Sequence, residues 1–120
     1  MADEIKFNGT FSVLKSYLSF AVNIQNVITL TGSNYIGGAP TIGTTEEALP
    51  MGDVATAGWA VFRNLDATNY VEIGTVPVAT FVPFLKLKPG EWFACRLGTN
   101  APYAKANTAS CVLDYKIFAT

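Results

Sequence analysis

The segment from Leu18 to Leu30 alternates apolar and polar side chains, and this alternation restricts the region to β-structure. A period of two places successive side chains on opposite faces of a strand, whereas a helix needs apolar residues every three or four positions. The segment therefore predicts a strand with one apolar face and one polar face. The apolar members of that face are Leu18, Phe20, Val22, Ile24, Ile28 and Leu30.

The rest of the chain consists of short apolar runs separated by turn residues, and no long segment carries apolar residues at helical spacing. A first strand is predicted from Glu4 to Val13, where Gly9 offers a bulge or bend. About seven to eight short strands at this spacing predict an all-β fold, a two-sheet antiparallel β-sandwich of jelly-roll-like or immunoglobulin-like type. The later strands are predicted at 58–65, 70–74, 80–87, 92–97 and 109–118.

A chain of 120 residues has the usual size of a single domain, so we expect one domain over residues 1–120. Residues 1–10 are predicted to form an N-terminal arm. Glycine and proline interrupt residues 32–57 and predict a long loop region there, with one helical turn from Thr45 to Leu49.

A hairpin is predicted around Pro89-Gly90, although an L-Pro-Gly type II turn fits a two-residue hairpin poorly. In this pairing both faces of the hairpin are largely apolar. One face holds Leu85 and Trp92, and the other holds Phe84 and Phe93. A lone sandwich buries one face of each sheet, so the second apolar face implies cover from a loop, the N-terminal segment or another subunit. We accordingly expect Phe84 and Trp92 to be buried.

Charge and histidine content exclude several classes of function. The chain has eight Lys and Arg residues and nine Asp and Glu residues, so it lacks the excess of positive charge that binding to nucleic acid or to an anionic membrane requires. The chain has no histidine, the usual general base near neutral pH and the commonest metal ligand. No apolar run reaches the roughly 18 residues of a membrane span, and the acidic N-terminus is unlike a signal peptide. We expect synthesis in a host cytoplasm and no cofactor.

The two cysteines, Cys95 and Cys111, both fall on apolar phases of predicted strands. Buried and unreactive thiols are the default interpretation of this placement. A disulfide formed outside the cell is the alternative, because pairing of the last two strands about a centre near Tyr103 would bring the two cysteines together.

The acidic residues do not form a pair that the sequence could assign to catalysis. Asp66 lies in the segment Asn64-Leu65-Asp66-Ala67-Thr68-Asn69, where Asx turns account for the polar side chains. The segment contains a single carboxylate, which is weak evidence for a calcium-binding site. The sequence predicts that the protein is not an enzyme. The other acids weighed for paired-carboxylate chemistry are Asp53, Glu72, Glu46 and Glu47.

The C-terminal half, over about residues 58–120, contains three spaced motifs. They are the Asn64–Asn69 turn, the turn Leu87-Lys88-Pro89-Gly90-Glu91 and the loop Tyr103-Ala104-Lys105-Ala106. In combination they resemble small β-rich virion structural proteins of tailed bacteriophages. This resemblance implies a capsid decoration or cement protein, or else a neck, tail or fibre component, and it brings no catalytic residues.

The leading hypothesis is therefore a non-enzymatic virion subunit that decorates the outside of a capsid as an oligomer. Its expected partners are copies of itself, with a trimer as the first guess from the resemblance, and the major capsid protein or other virion proteins. The segment around Ile5 and Phe7 is predicted to pack on a neighbouring subunit or on the capsid. A carbohydrate-binding β-sandwich is the alternative, motivated by Tyr35, Trp59 and Tyr103 near or within loops.

Overall fold

The computed structural model describes residues 4–120, and in that range it contains β-strands, turns and loops but no helix. The prediction of an all-β protein is thus confirmed. The contacts divide the chain into two compact units, one running to Thr31 and the other from Gly32 to Thr120. We call the second of these the C-terminal unit.

The first unit is built on one long hairpin, which we call the N-terminal hairpin. Strands β1 (Ile5–Lys15) and β2 (Leu18–Ile28) pair antiparallel along their whole length, from Ile5 opposite Ile28 to Lys15 opposite Leu18. Ser16 in the two-residue turn has a φ of 54°, as the turn types that match the twist of paired strands require. The strand predicted from the alternation of apolar residues is confirmed.

The C-terminal unit contains nine strands, so the described part of the chain has eleven rather than seven or eight. Three of the additional strands are short and lie within residues 32–57, where the sequence predicts a long loop. The prediction of a helical turn from Thr45 to Leu49 is wrong, because Glu47 and Ala48 within it form the short strand β5. The nine strands are β3 (Tyr35–Gly38), β4 (Thr41–Ile42), β5 (Glu47–Ala48), β6 (Ala57–Asn64), β7 (Val71–Thr75), β8 (Val82–Leu87), β9 (Trp92–Arg96), β10 (Tyr103–Ala106) and β11 (Cys111–Ala119).

These strands form two antiparallel sheets that share one core. One sheet has the order β3-β11-β6-β9, with β4 also paired to β11, and the other has the order β5-β10-β7-β8. Alternate residues of the central strands point inward, as the period of a strand requires. The core is therefore filled from both sheets, and its fully buried large side chains include Phe62, Val71, Ile73, Leu113 and Ile117.

The turn at Pro89-Gly90 connects the two sheets and does not close a hairpin, so the predicted pairing of its flanking strands is wrong. Strand β8 pairs with β7, whereas β9 pairs with β6. The turn is fastened to the end of β6, because Gly90 N–H donates to the carbonyl of Asn64 and Asn64 N–H donates to the carbonyl of Glu91, each at 3.0 Å. Hydrogen bonds to the end of β6 thus hold the turn at the point where the chain passes from one sheet to the other.

This crossing also corrects the expectation that Phe84 and Trp92 are buried. Phe84 keeps 51% of its surface exposed and Trp92 keeps 56%. Phe84 borders an opening between the edge strands β8 and β9, which belong to different sheets. Trp92 lies opposite the exposed Arg63 and points to the outer face of its sheet, away from the core. The fully buried aromatic side chain is Phe62, on the central strand β6.

Candidate functional site

The register of the N-terminal hairpin collects nearly all of its large apolar side chains on one face. Directly opposed residues of an antiparallel pair point to the same side, and every second residue follows them. Gly9, Lys15 and Asn26 complete this side. We call it the apolar face, and its nine apolar members are Ile5, Phe7, Phe11, Val13, Leu18, Phe20, Val22, Ile24 and Ile28.

The apolar face lies largely open to solvent. Phe11, Leu18 and Phe20 keep 56%, 59% and 53% of their surfaces exposed, and Val22 and Ile24 keep about two-fifths. Phe11 and Phe20 contact each other edge to face, with ring centroids 6.3 Å apart, so the side chains pack along the face without being covered from above. Large apolar surfaces of this kind mark interaction sites in soluble proteins.

Ile5 and Phe7, the two residues predicted to form an interface, belong to this face. Both lie on β1 near the open end of the hairpin and are half-buried. The base of the hairpin is fastened next to them, because Leu30 N–H donates to Oε2 of Glu4 at 3.1 Å. Sequence reasoning identified two members of the face and missed its extent along β2, although the alternation from Leu18 was the signal for it.

The opposite face of the hairpin is mainly polar. Thr10 donates its hydroxyl hydrogen to Oδ1 of Asn23 across the two strands at 3.0 Å. The larger apolar side chains on this side are Leu14, near the turn, and Val27. The hairpin is thus amphipathic, with one side suited to water and the other to an apolar partner. The polar face consists of Lys6, Asn8, Thr10, Ser12 and Leu14 on β1 and Ser19, Ala21, Asn23, Gln25 and Val27 on β2.

The polar side chains of the Asn64–Asn69 turn are used to hold the turn, as the sequence predicts. Asn64 Oδ1 accepts a hydrogen bond from Asp66 N–H at 2.9 Å. Asp66 Oδ2 accepts from Asn69 N–H at 2.6 Å and from Thr68 N–H at 2.9 Å. These two bonds, the one from Asn69 first, hold the pKa of the Asp66 carboxyl below its ordinary value. A carboxylate engaged in this way stabilises a turn and is poorly suited to act as a general acid or base.

Two of the other acidic side chains, Glu47 and Glu72, have polar or charged neighbours. Oε2 of Glu47 accepts a hydrogen bond from Gly43 N–H at 3.1 Å. Glu72 on β7 lies between Lys86 and Lys105 on the neighbouring strands, in a row of alternating charge. Within residues 4–120 no three His, Cys, Asp or Glu side chains come together as a group that could hold a metal ion.

The two cysteines are free thiols that point into the C-terminal unit, Cys111 buried and Cys95 half-buried. Burial raises the pKa of the Cys95 thiol, and burial together with the charge of Asp66 raises that of Cys111. Their strands flank β6 and do not pair, and Cys95 lies level with the far end of β11. The sulfur atoms are therefore separated by roughly 20 Å along the strands, against a Cα separation of at most about 7 Å in a disulfide. The disulfide alternative does not fit this fold.

The aromatic residues predicted to bind a carbohydrate do not lie together on one surface. Tyr35 and Trp59 lie on the sheet that contains β11, where Tyr35 stacks on Phe118 with centroids 5.8 Å apart. Tyr103 lies on β10 of the other sheet. The three residues therefore cannot form one binding platform.

A different aromatic group lines a shallow depression on the outer face of the β11 sheet. Trp92 lies opposite Arg63 in the β6–β9 register, and Asp114 lies opposite Arg63 in the β11–β6 register. The depression has a volume of about 460 Å³ and is lined by Val61, Arg63, Gly90, Trp92 and Asp114. Sequence reasoning missed it because its residues come from three strands that are far apart along the chain.

A second opening of about 460 Å³ lies on the C-terminal unit and is mainly apolar. It is bordered by β8 and β9, which are edge strands of different sheets. Exposed Phe84 lies here, so the separation of β8 from β9 is what leaves this side chain uncovered. The lining residues are Phe84, Leu85, Phe93, Cys95, Arg96, Leu97, Gly98 and Thr99.

Comparisons with protein-family models, with curated proteins and with solved structures returned no match to this chain. Within residues 4–120 no helix has the length and apolar character needed to cross a membrane.

Proposed function

We propose that this protein is a non-enzymatic structural subunit of a bacteriophage virion, and specifically a capsid decoration or cement protein. The observation that carries the proposal is the exposed apolar face of the N-terminal hairpin. A surface with nine apolar side chains in two adjacent rows can bind another apolar surface, because the contact removes both from water. The resemblance of residues 58–120 to virion proteins supports the same conclusion.

The proposed partners are copies of this chain, in a trimer by the resemblance, and the major capsid protein or another virion protein. The proposed place of action is the virion, after synthesis in the host cytoplasm. For the C-terminal unit we propose a β-sandwich of jelly-roll-like or immunoglobulin-like type, supported by two antiparallel sheets that share one core. A neck, tail or fibre subunit would use the same surfaces and differ in where it binds the particle.

The pKa values of the two thiols and the hydrogen bonds of Asp66 support a role without catalysis. Both thiols have raised pKa values, which lower the fraction of reactive thiolate. The carboxylate of Asp66 is occupied by two backbone N–H groups. These groups stabilise the fold, and the hairpin provides the surface for assembly.

Mass spectrometry of purified virions tests the proposal. Particles of a phage that encodes this chain are isolated on a density gradient, washed in high salt and digested for peptide quantification. We expect the chain in a constant ratio to the major capsid protein. Its absence from washed particles, while it is present in the infected-cell lysate, would refute a role in the virion.

A carbohydrate-binding module is the second candidate, favoured by the depression around Trp92. An exposed indole beside a guanidinium and a carboxylate provides a stacking surface and hydrogen-bonding groups for a sugar. A glycan array followed by titration calorimetry tests this candidate. Trp92→Ala should abolish any saturable binding, whereas Phe84→Ala, which removes a similarly exposed ring outside the depression, should retain it. Absence of binding by the parent chain rejects the candidate.

A further inference from the structure

We infer that the apolar face of the N-terminal hairpin is covered by the same face of another copy of this chain, so that the hairpins of neighbouring subunits pack face to face. The inference rests on the proposed role of this face in assembly and names its partner. It does not depend on which particle, if any, the assembled protein then decorates.

Cover of some kind is required for the hairpin to persist in water. A two-stranded hairpin alone is marginally stable at best and needs further strands or packing on its apolar side. The strands of this hairpin have eleven residues each, roughly 37 Å of paired chain. Five of the nine apolar side chains keep two-fifths or more of their surface exposed. The missing contact therefore extends along most of the length of the hairpin.

The exposed area is close to what an interface between two copies requires. Phe11 and Phe20, each about half exposed, contribute roughly 100 Å² apiece. With the aliphatic side chains and the half-buried members included, the face offers roughly 400–500 Å² of apolar surface. Two such faces bury roughly 800–1,000 Å² in total, near the lower limit of about 1,000 Å² for a specific protein interface.

The chemistry of the face favours a copy of itself over a partner with charged contacts. Its one charged residue is Lys15, next to the turn at the tip of the hairpin. There the methylene stem of Lys15 can pack while its ammonium group reaches water. Two identical faces match each other in length and in lack of charge. Closed symmetry buries such a face completely and leaves none of it exposed for further growth.

The arrangement also accounts for the polar side of the hairpin. Stacked sheets lie about 10 Å apart with their apolar sides together, so the outer sides remain in water. The outer side here carries Thr10 and Asn23, which form a hydrogen bond with each other. In a dimer, the two hairpins would thus form a small β-sandwich with one strand pair from each subunit.

The test uses the full chain and two double variants that add the same charges on opposite faces. Phe11→Asp with Phe20→Asp places two carboxylates on the apolar face. Ser12→Asp with Ala21→Asp places them one residue away on the polar face, at a directly opposed pair. Sedimentation equilibrium from 1 to 100 µM measures the molar mass. Fluorescence of Trp59 and Trp92, both in the C-terminal unit, reports whether that unit remains folded.

We expect the parent chain and the polar-face variant to form a closed oligomer, dimer or trimer, and the apolar-face variant to be monomeric. The dissociation constant for self-association of the apolar-face variant should be at least 100-fold higher than that of the parent. The unfolding midpoint measured by tryptophan fluorescence should be the same for both. Phe20→Ala alone should give an intermediate weakening, which provides a readout with a smaller disturbance of the hairpin.

Three results would overturn the inference: a monomeric parent chain up to 100 µM, an apolar-face variant that remains oligomeric, or dissociation of the polar-face variant to the same degree. The virion measurement separates this inference from the proposed function. A monomeric parent that is nevertheless present in washed virions rejects self-association and assigns the face to another virion protein. An oligomer that is absent from virions retains self-association and rejects the virion role.

Discussion

Replacement of Asn64 by alanine tests whether one buried amide holds the junction between the two sheets. Asn64 is fully buried at the end of β6. Its Nδ2 group donates to the carbonyl oxygens of Asn69 and Leu87, each at 2.9 Å, and its Oδ1 accepts from Asp66 N–H at 2.9 Å. The side chain therefore links β6, the following turn and the end of β8.

The cost of the substitution follows from the three lost bonds. A hydrogen bond within a protein contributes about 1 kcal/mol net, so their loss predicts a decrease of about 3 kcal/mol in the free energy of unfolding. The carbonyl of Leu87 contributes fully, because its bond with Asn64 is buried and water cannot replace the lost donor. For a unit of this size the decrease corresponds to a fall of about 12–24 °C in the unfolding temperature.

Thermal unfolding followed by tryptophan fluorescence measures this effect, since both tryptophans lie in the C-terminal unit. Asn69→Ala is the matched control, because it makes the same chemical change in the same turn. It removes one exposed bond, in which Thr108 donates its hydroxyl hydrogen to Oδ1 of Asn69 at 2.8 Å. We expect the control to cost no more than about 1 kcal/mol. If the two variants unfold within about 1 kcal/mol of each other, the role assigned to Asn64 is wrong.

Three further predictions concern the core, a close backbone approach and acid stability. Phe62→Ala removes a fully buried ring and should lower the free energy of unfolding, measured by guanidinium titration, by about 3–5 kcal/mol. Phe84→Ala removes an exposed ring and should lower it by less than half as much. Equal losses in the two variants would contradict the assignment of Phe62 to the core. Gly74→Ala should cost about 1–3 kcal/mol because its Cβ would overlap the backbone of β8, while Gly98→Ala, with open space around it, should unfold within about 0.5 kcal/mol of the parent. Because the folded-state pKa of Asp66 is lowered, its contribution is present above the ordinary value of 3.8 and is lost as the pH falls through the lower folded value. Urea midpoints measured below about pH 4 should thus fall more steeply for the parent than for Asp66→Asn, and parallel profiles would count against this linkage.

The local structure of the N-terminal hairpin and of the Asn64–Asn69 turn was determined by the sequence alone. The alternation from Leu18 specifies a strand and its apolar side, because a period of two leaves no other regular structure that segregates those residues. Asn and Asp side chains bond to backbone groups two or three residues away, so the Asx geometry around Asp66 depends only on its neighbours. Interactions of this short range can be predicted from short stretches of sequence.

Only the tertiary structure decided which strands pair and which faces stay exposed. The chain turns at Gly90 in a way that local chemistry does not specify, and hydrogen bonds to Asn64 direct β8 and β9 into different sheets. The short strands of residues 32–57 exist because β10 and β11 supply their hydrogen-bond partners. The exposure of Phe84 follows from the separation of β8 and β9, and that of Trp92 from a register that places it beside Arg63 on the outer face of its sheet. Each of these outcomes depends on backbone partners distant in sequence, whose positions a local pattern of side chains does not encode.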